Sequence, residues 1–459
     1  MPNDGSDVLI AAKATIPANS VVDVDEISVI PGATLTIADG GQLKHSNEGV
    51  TATVQKNIVP YTIEQTTVEV KSNGWYLLAS PMEEAVEPSA TMLSNNYDLY
   101  RFNQSAPANE QGITLEWENY EADEFTLEPG KGYLYANSGD GESPTVMIDM
   151  EGQLQPSDEN IVVPLVYDNS IEFAGFNLVG NPFACNAYLT EPRDFLVMNA
   201  TNDDLVINAS VNGVIAPLQG LFVQAVDAND NAVTFTRTQP VTQGKGGSLT
   251  LNVYKGSALR QAQGPQQVID RARVRFGEGQ ALNKFNLKPN GTKLFIKQGL
   301  QDYAVVYAEM QGEVPVNFKA AENGSYTLSV NPENTEMNYL HLIDNMTGAD
   351  VDLLQTPEYT FEAKTDDYAS RFRLVFSTDD ENGASTGSAS FAFINNGNII
   401  ITDNVEDATL QVIDMMGRVI VSREGDVSGN ISTNGMTAGV YVLRLISGEN
   451  VKTQKIMIR

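Results

Sequence analysis

The sequence predicts an all-β chain, and three observations carry that prediction. Short runs of alternating Val, Ile, Leu, Tyr and Phe recur along nearly the whole length, the period of strands with one buried face. Gly, Asn, Asp and Pro interrupt them at turn spacing. No long segment keeps its apolar residues at a helical period. The architecture expected is a set of short terminal coils, then β-sandwich domains, then a small C-terminal Ig-like β-sandwich. With 459 residues the chain exceeds one ordinary domain, and its length suggests about three or four.

Residues 1–59 supply the coils. Very short strands, Val21–Val24, Ile27–Ile30 and Thr34–Ile37, alternate with Pro-Gly, Asp-Gly and Gly-Gly corners. The pattern resembles the last coils of a right-handed parallel β-helix, with an ordinary β-meander as the alternative. Such coils bury their apolar faces only by stacking. Further coils or another domain are therefore expected upstream of Met1.

Residues 60–245 read as a duplicated β-sandwich region. Gly74-Trp75-Tyr76-Leu77-Leu78-Ala79-Ser80-Pro81-Met82 aligns with Gly175-Phe176-Asn177-Leu178-Val179-Gly180-Asn181-Pro182-Phe183, an offset of 101 residues. Later in each half, near 74–136 and 175–225, Pro129-Gly130-Lys131-Gly132-Tyr133 matches Pro217-Leu218-Gln219-Gly220-Leu221. Pro fixes φ and Gly supplies positive φ, so each half has a turn that launches an aromatic strand. Trp75, Tyr133 and Tyr135, with Tyr76, Phe176 and Phe222, fit a glycan-binding face or cross-strand core pairs; core is the stronger reading.

Residues 246–376 read as another β-sandwich, closing on Tyr359-Thr360-Phe361 and Phe372–Phe376. It contains the most basic stretch, Lys255, Arg260, Arg271, Arg273 and Arg275, whose Arg271–Phe276 part alternates like a solvated strand. Residues 377–390, STDDENGASTGSAS, hold no large apolar side chain and read as a protease-accessible linker.

Composition narrows the partners. Asp and Glu number 59 against 28 Lys and Arg, a net charge of -31. Such a surface repels nucleic acid and anionic lipid. Its ordinary meaning is solubility; clustered oxygen ligands for Ca²⁺ are the functional alternative. Asp23-Val24-Asp25-Glu26 and Asp227–Asn231 are the two places for it, although neither has the EF-hand layout. No metal or cofactor is otherwise implied.

The lone Cys185 excludes an intramolecular disulfide framework and a multi-cysteine zinc site. His45 and His341 lack metal-spaced companions and a Gly-x-Ser-x-Gly partner. Gly130-Lys131-Gly132 lacks phosphate-loop spacing. Nothing marks a catalytic carboxylate pair. No run approaches the roughly 20 apolar residues of a transmembrane helix, and the first residues lack signal-peptide character.

Residues 391–459 end the chain on short strands separated by Asn-Gly, Met-Gly, Gly-Asn and Ser-Gly turns, the size of a seven-strand sandwich. Val412-Ile413-Asp414 leads to Gly417-Arg418-Val419; Met436–Arg444 contains Gly439 and Tyr441; Gly448 and the terminal Lys455–Arg459 follow. In order, spacing and position this segment resembles the type A C-terminal sorting domain of type IX secretion cargo proteins. The resemblance implies recognition by the outer-membrane translocon, cutting near the linker by a sortase-like peptidase, and surface attachment or release. It makes Gly417, Arg418, Gly439, Tyr441, Gly448, Lys455 and Arg459 the sorting motif. The cationic ending, Arg444, Lys452, Lys455 and Arg459, then belongs to a module with a different task from the acidic cargo. Cargo of this kind starts with a signal peptide, so the N-terminal end read here departs from the pattern.

The expectation is an exported, surface-attached or released β-protein without catalysis of its own, serving as stalk, adhesin or glycan-binding module. The alternative is the accessory region of a larger secreted enzyme, polysaccharide-degrading or proteolytic, with its catalytic domain upstream.

Overall fold

The computed structural model describes residues 5–61, 64–65, 70–71, 74–106, 116–168, 173–209, 213–240, 246–256, 267–378, 391–395, 397–401, 408–425, 427, 429–448 and 450–458. Among them there is no helix; the chain is all-β. It divides into two compact units, Met1–Gly244 with Phe285–Gly291, and Lys245–Lys284 with Thr292–Arg459.

The first unit starts with three short parallel ladders. Asp7–Ile10 pairs with Glu26–Val29, Ala14–Ile16 with Leu35–Ile37, and Val21–Asp23 with Gln42–Lys44. The offsets are 19, 21 and 21 residues, so each circuit of the chain climbs by one strand. Val22, Val24, Ile27, Leu35, Ile37 and Leu43 turn inward and are buried. The stack ends where Thr51–Ile58, parallel to Leu35–Ile37, takes Val146–Gln153 as an antiparallel partner. One hydrophobic core runs from these coils into the next sheets, joining Ile37 and Val54 to Leu78, Tyr133, Tyr135 and Met150.

Two four-stranded sheets follow with the same strand order. One runs Tyr76–Ala79, Gly132–Asn137, Tyr97–Phe102, Trp117–Asn119; the other runs Phe176–Gly180, Gly220–Gln224, Leu196–Asn199, Asp204–Ile207. They interlock reciprocally. Ala79 N donates to Leu218 O at 3.0 Å, and Gly180 N donates to Gly130 O at 2.9 Å. This exchange dictates the Pro-x-x-Gly turns. A Cβ on Gly132 would lie 2.6 Å from Val179 O, and one on Gly220 2.8 Å from Leu78 O.

The same turns need a positive φ after the proline, 72° at Gly130 and 61° at Leu218. Glycine adopts it freely, whereas leucine is strained there by about 1–2 kcal/mol. Leu218 is buried in the core that contains Leu78, and burying a leucine side chain stabilises by roughly 1.5–3 kcal/mol. The strain is thereby offset.

Gln104 ties the halves a second time. Its Nε2 donates to Val166 O (3.0 Å) and Phe176 O (2.6 Å), and its Oε1 accepts from Asp168 N (2.7 Å) and Gly175 N (3.0 Å). Beside it Phe102, Trp117, Phe173, Phe176, Phe222 and Phe285 form one aromatic cluster, with neighbouring centroids 4.7 to 6.4 Å apart.

In the second unit, eleven strands between Ser248 and Thr378 make one continuous sheet. Strands far apart in its order share a core: the rings of Phe361, on an end strand, and Phe372 are 4.9 Å apart. Arg371 fixes that closure from inside. It donates to Asp344 Oδ2 (2.9 Å) and Glu362 O (2.7 Å) and lies over Phe361 at 4.4 Å. Burial opposes the charge on Asp344, but Arg371, the Met346 amide and Tyr359 hold its carboxyl below the usual range.

Two sequence expectations need correction. The arginine face of Arg271–Phe276 is covered: Arg273 is fully buried and donates to Thr250 Oγ1 (3.0 Å), and Arg271 donates to Asn252 Oδ1 (2.7 Å). Alternation marks two unlike faces, not which of them is wet. The segment 377–390 also begins in structure. Ser377 pairs with Gln311 and Tyr339, and Thr378 N donates to Met310 O at 2.9 Å; residues 379–390, and Arg260, lie outside the described residues.

Gly132→Ala and Gly220→Ala each force a methyl group against a backbone carbonyl of the other half. Each is expected to destabilise the first unit by about 1–3 kcal/mol, read as a lowered urea midpoint, with the two substitutions similar in size.

Candidate functional site

The C-terminal sandwich is built from two sheets. Ala392–Asn395, Asn398–Ile401 and Gly429–Ser432 form one; Val419–Gly425, Ala408–Asp414, Gly439–Ser447 and Asn450–Ile458 form the other. Ile399, Ile401, Leu410, Val412, Leu443 and Leu445 fill the space between them. A core this small needs side chains that close it. Gln454 does so, accepting from Phe391 N (2.7 Å) and Ala392 N (2.9 Å) and donating to Ala392 O. Its opposite face meets the larger sheet, where Ile400 packs against Tyr339 and Val375. The sandwich is thus seated on that sheet, beyond the tether expected from the sequence.

The motif residues take distinct places. Asp414 organises the turn that carries Gly417 and Arg418. Its Oδ1 accepts from Met416 N and Arg418 N, both at 2.9 Å, and its Oδ2 accepts from Arg418 Nε at 2.7 Å. The Arg418 amide first, then the guanidinium, hold that carboxyl below the usual range. Gly417 adopts a φ of 81°, which glycine alone reaches without strain.

Tyr441 is buried and donates to Thr437 O at 2.9 Å, locking the loop before Gly439. Gly439 opens its strand opposite Ile458, and Gly448 lies in the last hairpin turn. Lys455 pairs with Val442, and Arg444 with Gln411 and Thr453. Met415, Met416, Val419, Ile420, Val451 and Met457 are exposed. Arg459 lies outside the described residues. Sequence reasoning missed Gln454, whose partners are more than sixty positions away.

The three aromatics expected on a glycan face do not share one. Tyr133 and Tyr135 turn into the core: Tyr133 OH accepts from Glu128 N (2.7 Å), and Tyr135 OH donates to Met92 O (2.7 Å). Burial raises both phenols above their ordinary value, Tyr135 to about 12. Trp75 is half-buried, 6.2 Å from Tyr100. A cleft of about 420 Å³ opens instead where the repeats meet, lined by Arg101, Glu118, Glu128, Lys131, Tyr133 and Asn177 among others.

The remaining candidates have contacts within the fold. Cys185 is buried, which pushes its thiol up to about 11. His341 Nδ1 meets Asp350 Oδ1 at 2.7 Å, with its ring stacked on Tyr339. Asp227 Oδ1 accepts from Asn229 N (2.7 Å), and Asp230 pairs with Arg193 at 2.8 Å. Asp23 pairs with Lys44 at 3.0 Å. Among the described residues no helix is long and apolar enough to cross a membrane, which says nothing of β-barrels.

His45 is fully buried. Its Nδ1 donates to Asn47 O (2.9 Å), leaving Nε2 without a partner among the described residues. Burial lowers its pKa from 6.5, so the unfolded chain takes up this proton first as pH falls. Stability of the first unit should drop below about pH 6.5, by up to about 1.4 kcal/mol per pH unit, until the folded pKa is reached. His45→Gln should remove that part of the slope in urea titrations at pH 5 to 7. In the C-terminal sandwich, Gln454→Leu strands two backbone amides; a loss of about 1–3 kcal/mol is expected, with hydrogen exchange fastest at Phe391 and Ala392.

Residues 395–459 match the family described as "Secretion system C-terminal sorting domain". No curated protein matches the chain. A solved chain described as "Biofilm associated protein - BSP domain" aligns at 9% identity over 88% of this chain and 95% of its own, with a TM-score of 0.15, too poor a superposition to carry an argument. The family match falls on the sandwich closed by Gln454 and on the turn ordered by Asp414. That sandwich is a C-terminal sorting domain, and the chain is a type IX secretion cargo protein, exported to the cell surface or the extracellular space.

Proposed function

We propose that the exported chain acts outside the cell as a non-catalytic surface protein, a stalk, adhesin or glycan-binding module displayed through its sorting domain. The observation that carries this reading is a sorting sandwich with its own core and its own closing side chain, following a cargo whose described residues form sheets and no helix. The secretion machinery grips the sandwich, and a sortase-like peptidase cuts the segment between it and strand Phe372–Thr378. Several polar side chains of the cargo are engaged in the fold: Gln104 joins the repeats, Arg371 closes the large sheet, and Asp230 holds Arg193.

The test is expression behind a cleavable signal peptide in a host that carries the secretion system, with intact-mass measurement of every fraction. The full chain should reach the surface or medium as a product ending between residues 379 and 390. A chain ending at Thr378 should stay within the cell envelope. The recovered cargo should release no soluble sugar or peptide from polysaccharide and casein substrates. Product release that follows the pure protein would overturn the non-catalytic reading.

A further inference from the structure

We propose that the cleft where the two repeats meet binds a neutral sugar, a mono- or disaccharide unit of a glycan. The proposal rests on the surface-protein reading and supplies it with a site and a ligand class. At about 420 Å³, the cleft falls inside the roughly 300–1,000 Å³ of small-ligand sites.

Its wall is preorganised. Arg101 is held by Glu118 and by Asp123 (3.1 Å) and lies over the Phe125 ring at 4.9 Å. Asn103 Nδ2 donates to Glu118 Oε1 at 2.7 Å. Asn177 gives both its amide atoms to Val166 and Gly175. These side chains shape the cleft and are largely committed to it.

Four others that line it are not. The side chains of Lys131, Glu128, Thr126 and Ser105 take part in no hydrogen bond or ion pair among the described residues. The duplication gives an internal comparison. Gln219 stands where the second repeat aligns with Lys131, and its Oε1 accepts from Ala216 N at 2.8 Å, closing its own turn. In one repeat this position serves the fold; in the other it is left for something else.

The lining selects the ligand class. A hydroxyl donates and accepts at once, so a polyol satisfies an ammonium and a carboxylate side by side. A phosphate or carboxylate ligand would face Glu118 and Glu128 within the field of a chain of net charge -31. A hydrocarbon ligand would strip water from charged groups without replacing its hydrogen bonds. Phe102, half-buried over Phe176 and Leu178, supplies an apolar floor for the C–H face of a pyranose.

The experiment is titration calorimetry on the full chain with neutral hexasaccharides of β-1,4-glucan, β-1,4-xylan, β-1,4-mannan and chitin type, and with an oligogalacturonate. At least one neutral probe should bind. Lys131→Met and Glu128→Gln should each weaken it by about tenfold, and Ser105→Trp, at an exposed position, should block it. Circular dichroism and the urea midpoint should stay at wild-type values. Neutral-probe binding that survives all three substitutions would place the sugar elsewhere and leave the glycan-binding reading standing. Binding of the oligogalacturonate alone would overturn the ligand class. No binding of any probe at millimolar concentration would overturn the proposal, while the export and display reading would still rest on its own test.

Discussion

The first unit depends on a reciprocal exchange of backbone hydrogen bonds, Ala79 to Leu218 and Gly180 to Gly130. Two copies of one strand order are thereby placed with their second strands against each other's first. The approach is close enough to exclude a side chain at Gly132 and Gly220, and it holds Leu218 in a conformation that its burial must offset. The cleft follows from the same constraint. One of its walls is the Lys131–Tyr133 segment and the opposing wall is Phe176–Val179, and these are joined by the Lys131 to Val179 bridge.

The sorting sandwich answers a different problem. A domain of its size has little apolar surface to bury, so single polar side chains carry a larger share of its closure. Gln454 joins the first strand to the last, and Asp414 orders the hairpin between Ala408–Asp414 and Val419–Gly425. Neither residue is replaceable by a generic polar one. An amide is needed where a donor and an acceptor must be met together, and a carboxylate where two amides and a guanidinium converge.

Much of this was legible in the sequence where the signal is local. Alternation gave the strands, Pro-x-x-Gly gave the two launching turns, and the spacing from Asp414 to Gly448 marked the sorting domain. What stayed hidden depends on distant partners. Gln104 meets residues more than sixty positions away, and so does Gln454; neither has a local signature. Tyr133 and Tyr135 occupy one face of a strand by their spacing of two, but spacing alone does not say that this face is the core. Arg271, Arg273 and Arg275 show the same ambiguity from the polar side. The cleft combines residues from Arg101 to Val179 and has no linear trace.

The charge balance gives the cleft its clearest contrast. With 59 acids to 28 cations, carboxylates outnumber their possible partners about two to one, and several buried or half-buried cations are closed by one. Lys44, Lys56, Arg193, Lys284 and Arg371 all pair with an aspartate. Lys131 lies three positions from Glu128, and its own amide bonds to the Glu128 carbonyl at 3.3 Å, yet their side chains form no ion pair. An ammonium and a carboxylate kept apart on one cleft wall retain their hydrogen-bonding capacity for a third group that can meet both. A hydroxylated ligand meets that requirement, whereas closing the pair would have used up both charges.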